Sequence, residues 1–308
     1  MIFPGKKTLA PKSDDSLVQL KHAGKELEKE KVEMDEAGQV RPSGASIVQD
    51  ETSPDRVCKL SGKMSDSQFQ REIAPYKNMR AFCLENLTIS LASSNYIFHL
   101  PIENLALIDM AISERQLDDL SKLQSLKRIR FFSCGDLPAG SIEKFKRLKL
   151  KSLDFEPGST YENFGRAVTK LDSLESVTIR NGRIRRKDLE ELLARLQIKM
   201  LNFDSCSIDS DAFTKLSSAN QCTFFSCVNT RLTDKAFEQI SELPSLIVLN
   251  LTGTNLNDRH LKMLHKRKGL RALCAVDTQV SQTGLEYLRS VVPGLKIMIQ
   301  RPAQDEPF

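Results

Sequence analysis

Tryptophan is absent from this chain, histidine occurs four times, and aromatic residues make up only 6% of the 308 positions. A core hung on a few large anchors is therefore not expected. With 40% hydrophobic residues, dominated by leucine, isoleucine and valine, the core should consist of many similar aliphatic layers. No uninterrupted apolar run is long enough to span a bilayer. The opening MIFPGKKTLAPKSDDSL has no continuous apolar stretch before Asp14 and Asp15, so it does not read as a signal peptide. Seven cysteines, odd in number and without close spacing, argue against a disulfide scaffold and for free thiols in a reducing, cytoplasmic setting.

The usual marks of catalysis are also missing. No G-x-S-x-G occurs, no phosphate loop of the G-x-x-x-x-G-K type, and no dinucleotide fingerprint after a strand. His260 and His265 are five residues apart, about 140° around a helix, so they cannot share one metal and read as two exposed helix-face histidines. No enzyme, metal or cofactor is expected. The 45 basic and 40 acidic residues leave a net charge of +5 spread over a large surface, not the stripe that nucleic acid would require.

Residues 1–54 hold ten acidic and eight basic side chains and few large apolar ones outside Leu17, Val18 and Leu20. They read as a disordered charged tail, HAGKELEKEKVEMDEAG, followed by a turn-forming linker, GQVRPSGASIVQDETSPD. From 55 to 302 the pattern is periodic, and 303–308 form a short C-terminal tail. The first apolar residue of an L-x-x-L-x-L unit falls at Met79, Ile102, Leu126, Leu150, Leu174, Ile198, Cys222, Leu246 and Leu270, one step of 23 and then seven of 24. A degenerate unit, VCKLSGKMSD, precedes them, and GLKIMIQ follows, anchored at Leu295.

Each unit opens with alternating apolar residues, which is strand-like, and continues with apolar pairs at helical spacing such as Leu261 and Leu264. Asp234 and Asp258 are placed to cap those helices. One strand and one helix cannot bury their own apolar face, whereas stacked units can. The L-x-x-L-x-L-x-x-T-x-L pattern with a D-x-x-L helix resembles the leucine-rich-repeat family, most closely its bacterial 24-residue form. The resemblance covers roughly 240 residues and implies an α/β solenoid of about ten rungs, with a parallel sheet on the concave side and helices on the convex side.

The ninth repeat position departs from the family's usual asparagine. It carries Cys134, Gly158, Gly182, Cys206, Thr230, Thr254 and Thr278, similar to the cysteine-containing branch. The threonine hydroxyls can bond the turning backbone, while the glycines cannot, so irregular curvature is expected mid-array. Cys58, Cys222 and Cys227 fall on core positions. Cys83 and Cys274 fall on the outward side of their strands and are expected to be the reactive thiols.

Positions three, five and seven of each unit should pave the concave face, the default binding surface. Position three brings Met200, Phe224 and Val248 together, with Val228 nearby, and a second apolar pair is Ile108 and Phe132. Charged side chains fall beside them: Arg130 next to Asp154, and Glu156, Arg180 and Asp204 on successive rungs. They either neutralise one another sideways or receive a charged ligand. A non-catalytic module binding a protein partner on this face is the favoured function. The resemblance also implies two alternatives: a regulator lending Arg130 or Arg180 to a GTPase, or the companion of a Ser/Thr kinase. The basic runs KFKRLKLK, RNGRIRRK and HKRKGLR leave an acidic partner or an anionic membrane surface on the outer side as a weaker option.

Overall fold

The computed structural model describes residues 44–49 and 56–299, apart from 63, 88–89, 91–95, 98, 136, 138–139, 157–163 and 196. The alternating segments form β1 (Gly44–Gln49), β2 (Arg56–Ser61), β3 (Ala81–Glu85), β4 (Asn104–Ile108), β5 (Arg128–Phe132), β6 (Ser152–Phe155), β7 (Ser176–Arg180), β8 (Arg183–Ile184), β9 (Met200–Asp204), β10 (Ser207–Ile208), β11 (Phe224–Val228), β12 (Val248–Asn250), β13 (Ala272–Cys274) and β14 (Lys296–Met298). All except β8 and β10 join one sheet, in chain order and parallel from β2 onward. It is the leucine-rich-repeat solenoid that the period predicts.

Arg128 pairs with Ser152 and Val248 with Ala272, so neighbouring strands are offset by one repeat. Ala272 pairs with Lys296, which keeps the last strand in the same register. Leu295 therefore stands one place beyond the anchor position assigned to it from sequence. The segment Gly44–Gln49, expected to be linker, instead pairs antiparallel with β2, Ile47 opposite Cys58, and covers that edge of the sheet. Arg301, Pro302 and the C-terminal tail lie outside the described residues, as do residues 1–43.

Helices α1 (Asp66–Ile73), α2 (Glu114–Leu120), α3 (Phe164–Val168), α4 (Arg186–Arg195), α5 (Asp234–Ser241), α6 (Asp258–Met263) and α7 (Gln282–Val291) return the chain between strands, and two units use 3-10 turns instead, Ile142–Arg147 and Leu216–Ser218. The N-caps are not the aspartates. Ser65, Ser113, Thr233, Asn257 and Ser281 accept the first-turn amides of their helices. Asp258 instead accepts the Ser281 amide at 2.8 Å and its hydroxyl at 2.5 Å, tying one rung to the cap of the next. Asp234 does the same to His260 at 3.0 Å and Arg259 at 2.9 Å.

His260 corrects a sequence expectation. It is 3% exposed and stacks on Phe237 with centroids 3.8 Å apart. Its Nδ1 accepts the Asn257 amide at 3.3 Å, which leaves Nε2–H to donate to Asp234. His265 is exposed, as expected.

Leu126, Leu150, Leu174, Leu246 and Leu270 are all buried between sheet and helices. Aromatics contribute more than their number suggested. Phe131, Phe145, Phe155, Phe164, Phe203, Phe213 and Phe225 are fully buried, and Phe203, Phe213 and Phe225 form a cluster with centroids 5.6 to 6.0 Å apart. Each such ring contributes about 1.5–3 kcal/mol by leaving water.

The ninth-position ladder forms, and cysteine takes part in it. Thr230, Thr254 and Thr278 hydroxyls donate to Val228, Leu251 and Ala275 carbonyls, and the Cys134 and Cys206 thiols donate to Leu107 and Ile179 carbonyls. Thr230 Oγ1 also accepts the buried Cys206 amide at 3.2 Å. Beside Gly182, which has no side chain to offer, the rungs pair again through β8 and β10. On the edge of the sheet, Glu175 lies between Lys151 at 2.5 Å and Lys199 at 2.7 Å.

Thr230→Val should lower unfolding free energy by about 1–3 kcal/mol, because it strands the Cys206 amide in the interior, and Thr278→Val, at a partly exposed site, should cost less. Urea melts of the two variants check the order. The hydrogen bonds from Lys151 and Lys199 hold Glu175 at a pKa of about 2. A folded-state value below the unfolded one stabilises the fold at neutral pH, and that contribution fades as pH falls from the ordinary carboxylate range through about 2. The carboxylate is 34% exposed, so Glu175→Gln should cost less than about 1 kcal/mol at pH 7, and the difference from the unmodified chain should vanish near pH 2.

Candidate functional site

Repeat positions three, five and seven stand on the side of the sheet away from the helices, and the strict register aligns them in three columns. Column five places Arg130 opposite Asp154, and column seven places Arg180 opposite Asp204. The four charges form one network. Arg130 Nε lies 3.0 Å from Asp154, Arg180 Nε lies 3.2 Å from the same carboxylate, and Arg180 Nη1 lies 2.8 Å from Asp204.

Arg180, Asp154 and Asp204 side chains are 7%, 9% and 6% exposed, whereas Arg130 remains 40% exposed at the open end. The Arg180 guanidinium also lies 5.5 Å above the Phe132 ring, reaching back across two rungs. Sideways neutralisation is thus the arrangement adopted. Two acids and two arginines balance, and a single-sign ligand would have to break existing pairs to enter. Glu156 is partly buried at the edge of the network and accepts from Asn181 at 3.2 Å. Desolvation raises its carboxyl above the ordinary range, with the Asn181 hydrogen bond working against that shift.

The two apolar groups differ in exposure. Ile108 and Phe132 are paired across β4 and β5, and both are partly exposed; Arg130 is two residues along the same face, and exposed Arg128 stands at the other end of the strand. Met200 is partly exposed too. Phe224, Val248 and Val228 form the expected column but are 7%, 0% and 4% exposed. Cys274 does face outward, as expected, yet is fully buried in that same cluster, and burial raises its pKa. This corrects its expected reactivity, while Cys83 stays partly exposed. Cys58, Cys222 and Cys227 are in the core, where desolvation lifts the first two thiols to about 12.

Among the described residues, no group of three or more His, Cys, Asp or Glu side chains is arranged to hold a metal ion, and no helix is long and apolar enough to cross a membrane.

No protein-family model matches the chain, and no curated protein matches its sequence. Solved structures do match in fold. An internalin, InlF, of Listeria monocytogenes superposes with a TM-score of 0.50 at 12% identity over 74% of this chain and 69% of the other. Internalin C2 of the same organism gives 0.39 at 16% identity over 61% and 84%.

Arg180→Met should destabilise the chain by about 3–5 kcal/mol, since Asp204 loses its partner in a buried setting. Adding Asp154→Asn and Asp204→Asn should recover much of that loss in urea melts. A single Arg180→Met variant as stable as the parent would show the network to be energetically idle.

Proposed function

We propose that this leucine-rich-repeat solenoid is a non-catalytic module that holds a protein partner against its concave sheet. The observation carrying this reading is the patch on β4 and β5, where Ile108 and Phe132 remain partly exposed with Arg130 two residues away on the same face. Aromatic and arginine side chains with an aliphatic neighbour are the composition of interface centres. Strand pairing fixes Ile108 between Glu85 and Phe132, and Phe132 against Ile108, so little backbone entropy is lost on docking.

The Asp154, Arg180 and Asp204 ladder lies next to the patch, and its fixed charges would orient a partner more than attract it. Glu156 adds an acceptor and Met200 an adaptable apolar contact at the far side. Phe224, Val248 and Val228 belong to the same columns but are closed in this conformation. Six of the seven free thiols are buried, which suits a reducing compartment such as the cytoplasm.

A regulator lending an arginine to a GTPase is less well supported. Arg180 is tied to two carboxylates and Arg130 to one, so either would have to abandon an ion pair before reaching a nucleotide. A companion of a Ser/Thr kinase would use the same patch and differ only in the partner.

Ile108→Glu with Phe132→Glu should leave the circular dichroism spectrum unchanged and weaken retention of the partner by about tenfold or more. The measurement is affinity capture from native lysate with quantitative mass spectrometry, followed by titration of the purified partner. Equal retention by parent and variant would move the interface off this patch.

A further inference from the structure

The chain holds three basic runs, and the fold gives them three different settings. RNGRIRRK lies beside the C-terminal ends of the strands and is neutralised: Arg183 meets Asp209 at 2.9 Å, Arg185 meets Asp188 at 2.8 Å, and Arg186 meets Glu190 at 2.9 Å. HKRKGLR turns its donors to the backbone, Arg267 to the Leu243 carbonyl, Lys268 to Val291 and Arg271 to Lys268. Such bonds satisfy carbonyls left over where helical turns end. KFKRLKLK is different. Only its first and last lysines meet acids, Lys144 at Asp118 and Lys151 at Glu175, both at 2.5 Å.

Lys146, Arg147 and Lys149 are exposed and form no ion pair among the described residues, and the same holds for Arg128 on the neighbouring rung. They stand on the rim where the strands begin. Along it the backbone stacks amide to carbonyl from Arg80 through Glu103, Lys127, Lys151, Glu175 and Lys199 at 2.7 to 2.9 Å, so one repeat position forms a column. Each acid of that column is shared by two cations, Glu103 by Arg80 and Lys127, and Glu175 by Lys151 and Lys199. Lys127 and Lys151 are thus left side by side, their backbones about 4.8 Å apart, each bonded to an acid on its far side. Like charges placed directly opposite destabilise a sheet. The electrostatics of a helix end do not account for the cluster, because Lys146 and Arg147 close a 3-10 turn but Arg128 and Lys149 lie outside it.

The cluster adjoins the open part of the concave face. Arg128, Arg130 and Phe132 alternate onto one side of β5, which puts Arg128 about 13 Å from Phe132 with Arg130 between them. An aromatic and aliphatic centre with a charged border is the layout of a protein interface. Among the described residues, no aromatic side chain is exposed at this rim to stack a base, since Phe131 and Phe145 are buried. A bilayer resting on the rim would not reach Phe132 inside the concavity. What the cluster lacks is carboxylates, and an acidic polypeptide supplies them.

We propose that Arg128, Lys146, Arg147 and Lys149, together with Lys127 and Lys151, form a docking surface for an acidic segment of a protein partner. The place of this surface rests on charge and register alone. That one partner covers both the rim and the Ile108 and Phe132 patch rests on the reading above.

A fluorescein-labelled oligo-glutamate, titrated into the full-length protein at low salt and followed by anisotropy, should bind saturably. Arg128→Glu, Lys146→Glu, Arg147→Glu and Lys149→Glu made together should weaken binding by about tenfold or more, and the same charge change spread over exposed Lys215, Arg231, Lys235 and Arg289 by about twofold or less. Ile108→Ala with Phe132→Ala should bind the probe as the parent does, so a failure of the patch reading leaves this test intact. If the circular dichroism of the rim variant departs from the parent's, Arg128→Gln with Lys149→Gln must weaken binding in the same direction, and no change there overturns the proposal. Equal losses in the two charge variants also overturn it, as does absence of binding by the parent. In the last case, phosphatidylserine vesicles or a duplex RNA held by the parent and lost by the rim variant would assign the rim to a bilayer or to nucleic acid.

Discussion

Eight of the described rungs leave the sheet through one residue with positive φ, and in six of them the amide of that residue donates to a carbonyl of the next rung. Asn86, Asp109, Ser133, Asn181, Ser205, Asn229 and Asp277 have φ between 49° and 52°, and Gly253 has 66°. The amides of Asn86, Asp109, Asn181, Ser205, Asn229 and Gly253 donate to Ile108, Phe132, Asp204, Val228, Thr252 and Val276 carbonyls. Short polar residues and glycine tolerate that conformation best. Gly253 has a second reason, since a Cβ there would meet Asn229 Oδ1 at 2.2 Å. This corner turns the chain toward the helix side and fixes the register at the same time, so everything on the concave face follows from it.

Because register is fixed at every corner, chemistry on the face is assembled across rungs and not along the chain. Arg180 meets Asp154 one rung back, Asp204 one rung forward and Phe132 two rungs back. Such groupings are visible in the sequence only after it is folded into its period. Once that is done, the pairing of Arg130 with Asp154 and of Arg180 with Asp204 can be read by eye, and the core positions with it.

What the period did not reveal lies where non-repeating contacts decide. β1 is antiparallel and outside the repeat, in a stretch whose composition reads as turn. Helical spacing separated His260 from His265 but did not say which of them faces the neighbouring Phe237. The aspartates at 234 and 258 were recognised as helix-start residues, but the capping oxygen belongs to the residue before each, and the freed carboxylates reach the next rung instead. Alternation correctly turned Cys274 outward. Outward is not exposed, however, and Cys274 is buried among Phe224, Val248, Ala272 and Val276.

The two charge ladders across the rungs differ in what they can do for the molecule. On the edge, Glu175 and its lysines are long, solvated side chains whose attraction is largely screened, so they contribute little to stability and impose little geometry. Inside the concavity, Arg180 and its two aspartates have surrendered most of their water, and that loss offsets much of their attraction. Their net contribution to stability is accordingly modest while the cost of breaking them is large. An interaction with that asymmetry selects one arrangement over its neighbours: a strand slipped by one residue turns its side chains to the opposite face and leaves buried charges without their partners. The corners set the register locally, and the buried ladder penalises the alternatives in the middle of the array, where glycine at the ninth position leaves the threonine bonds out.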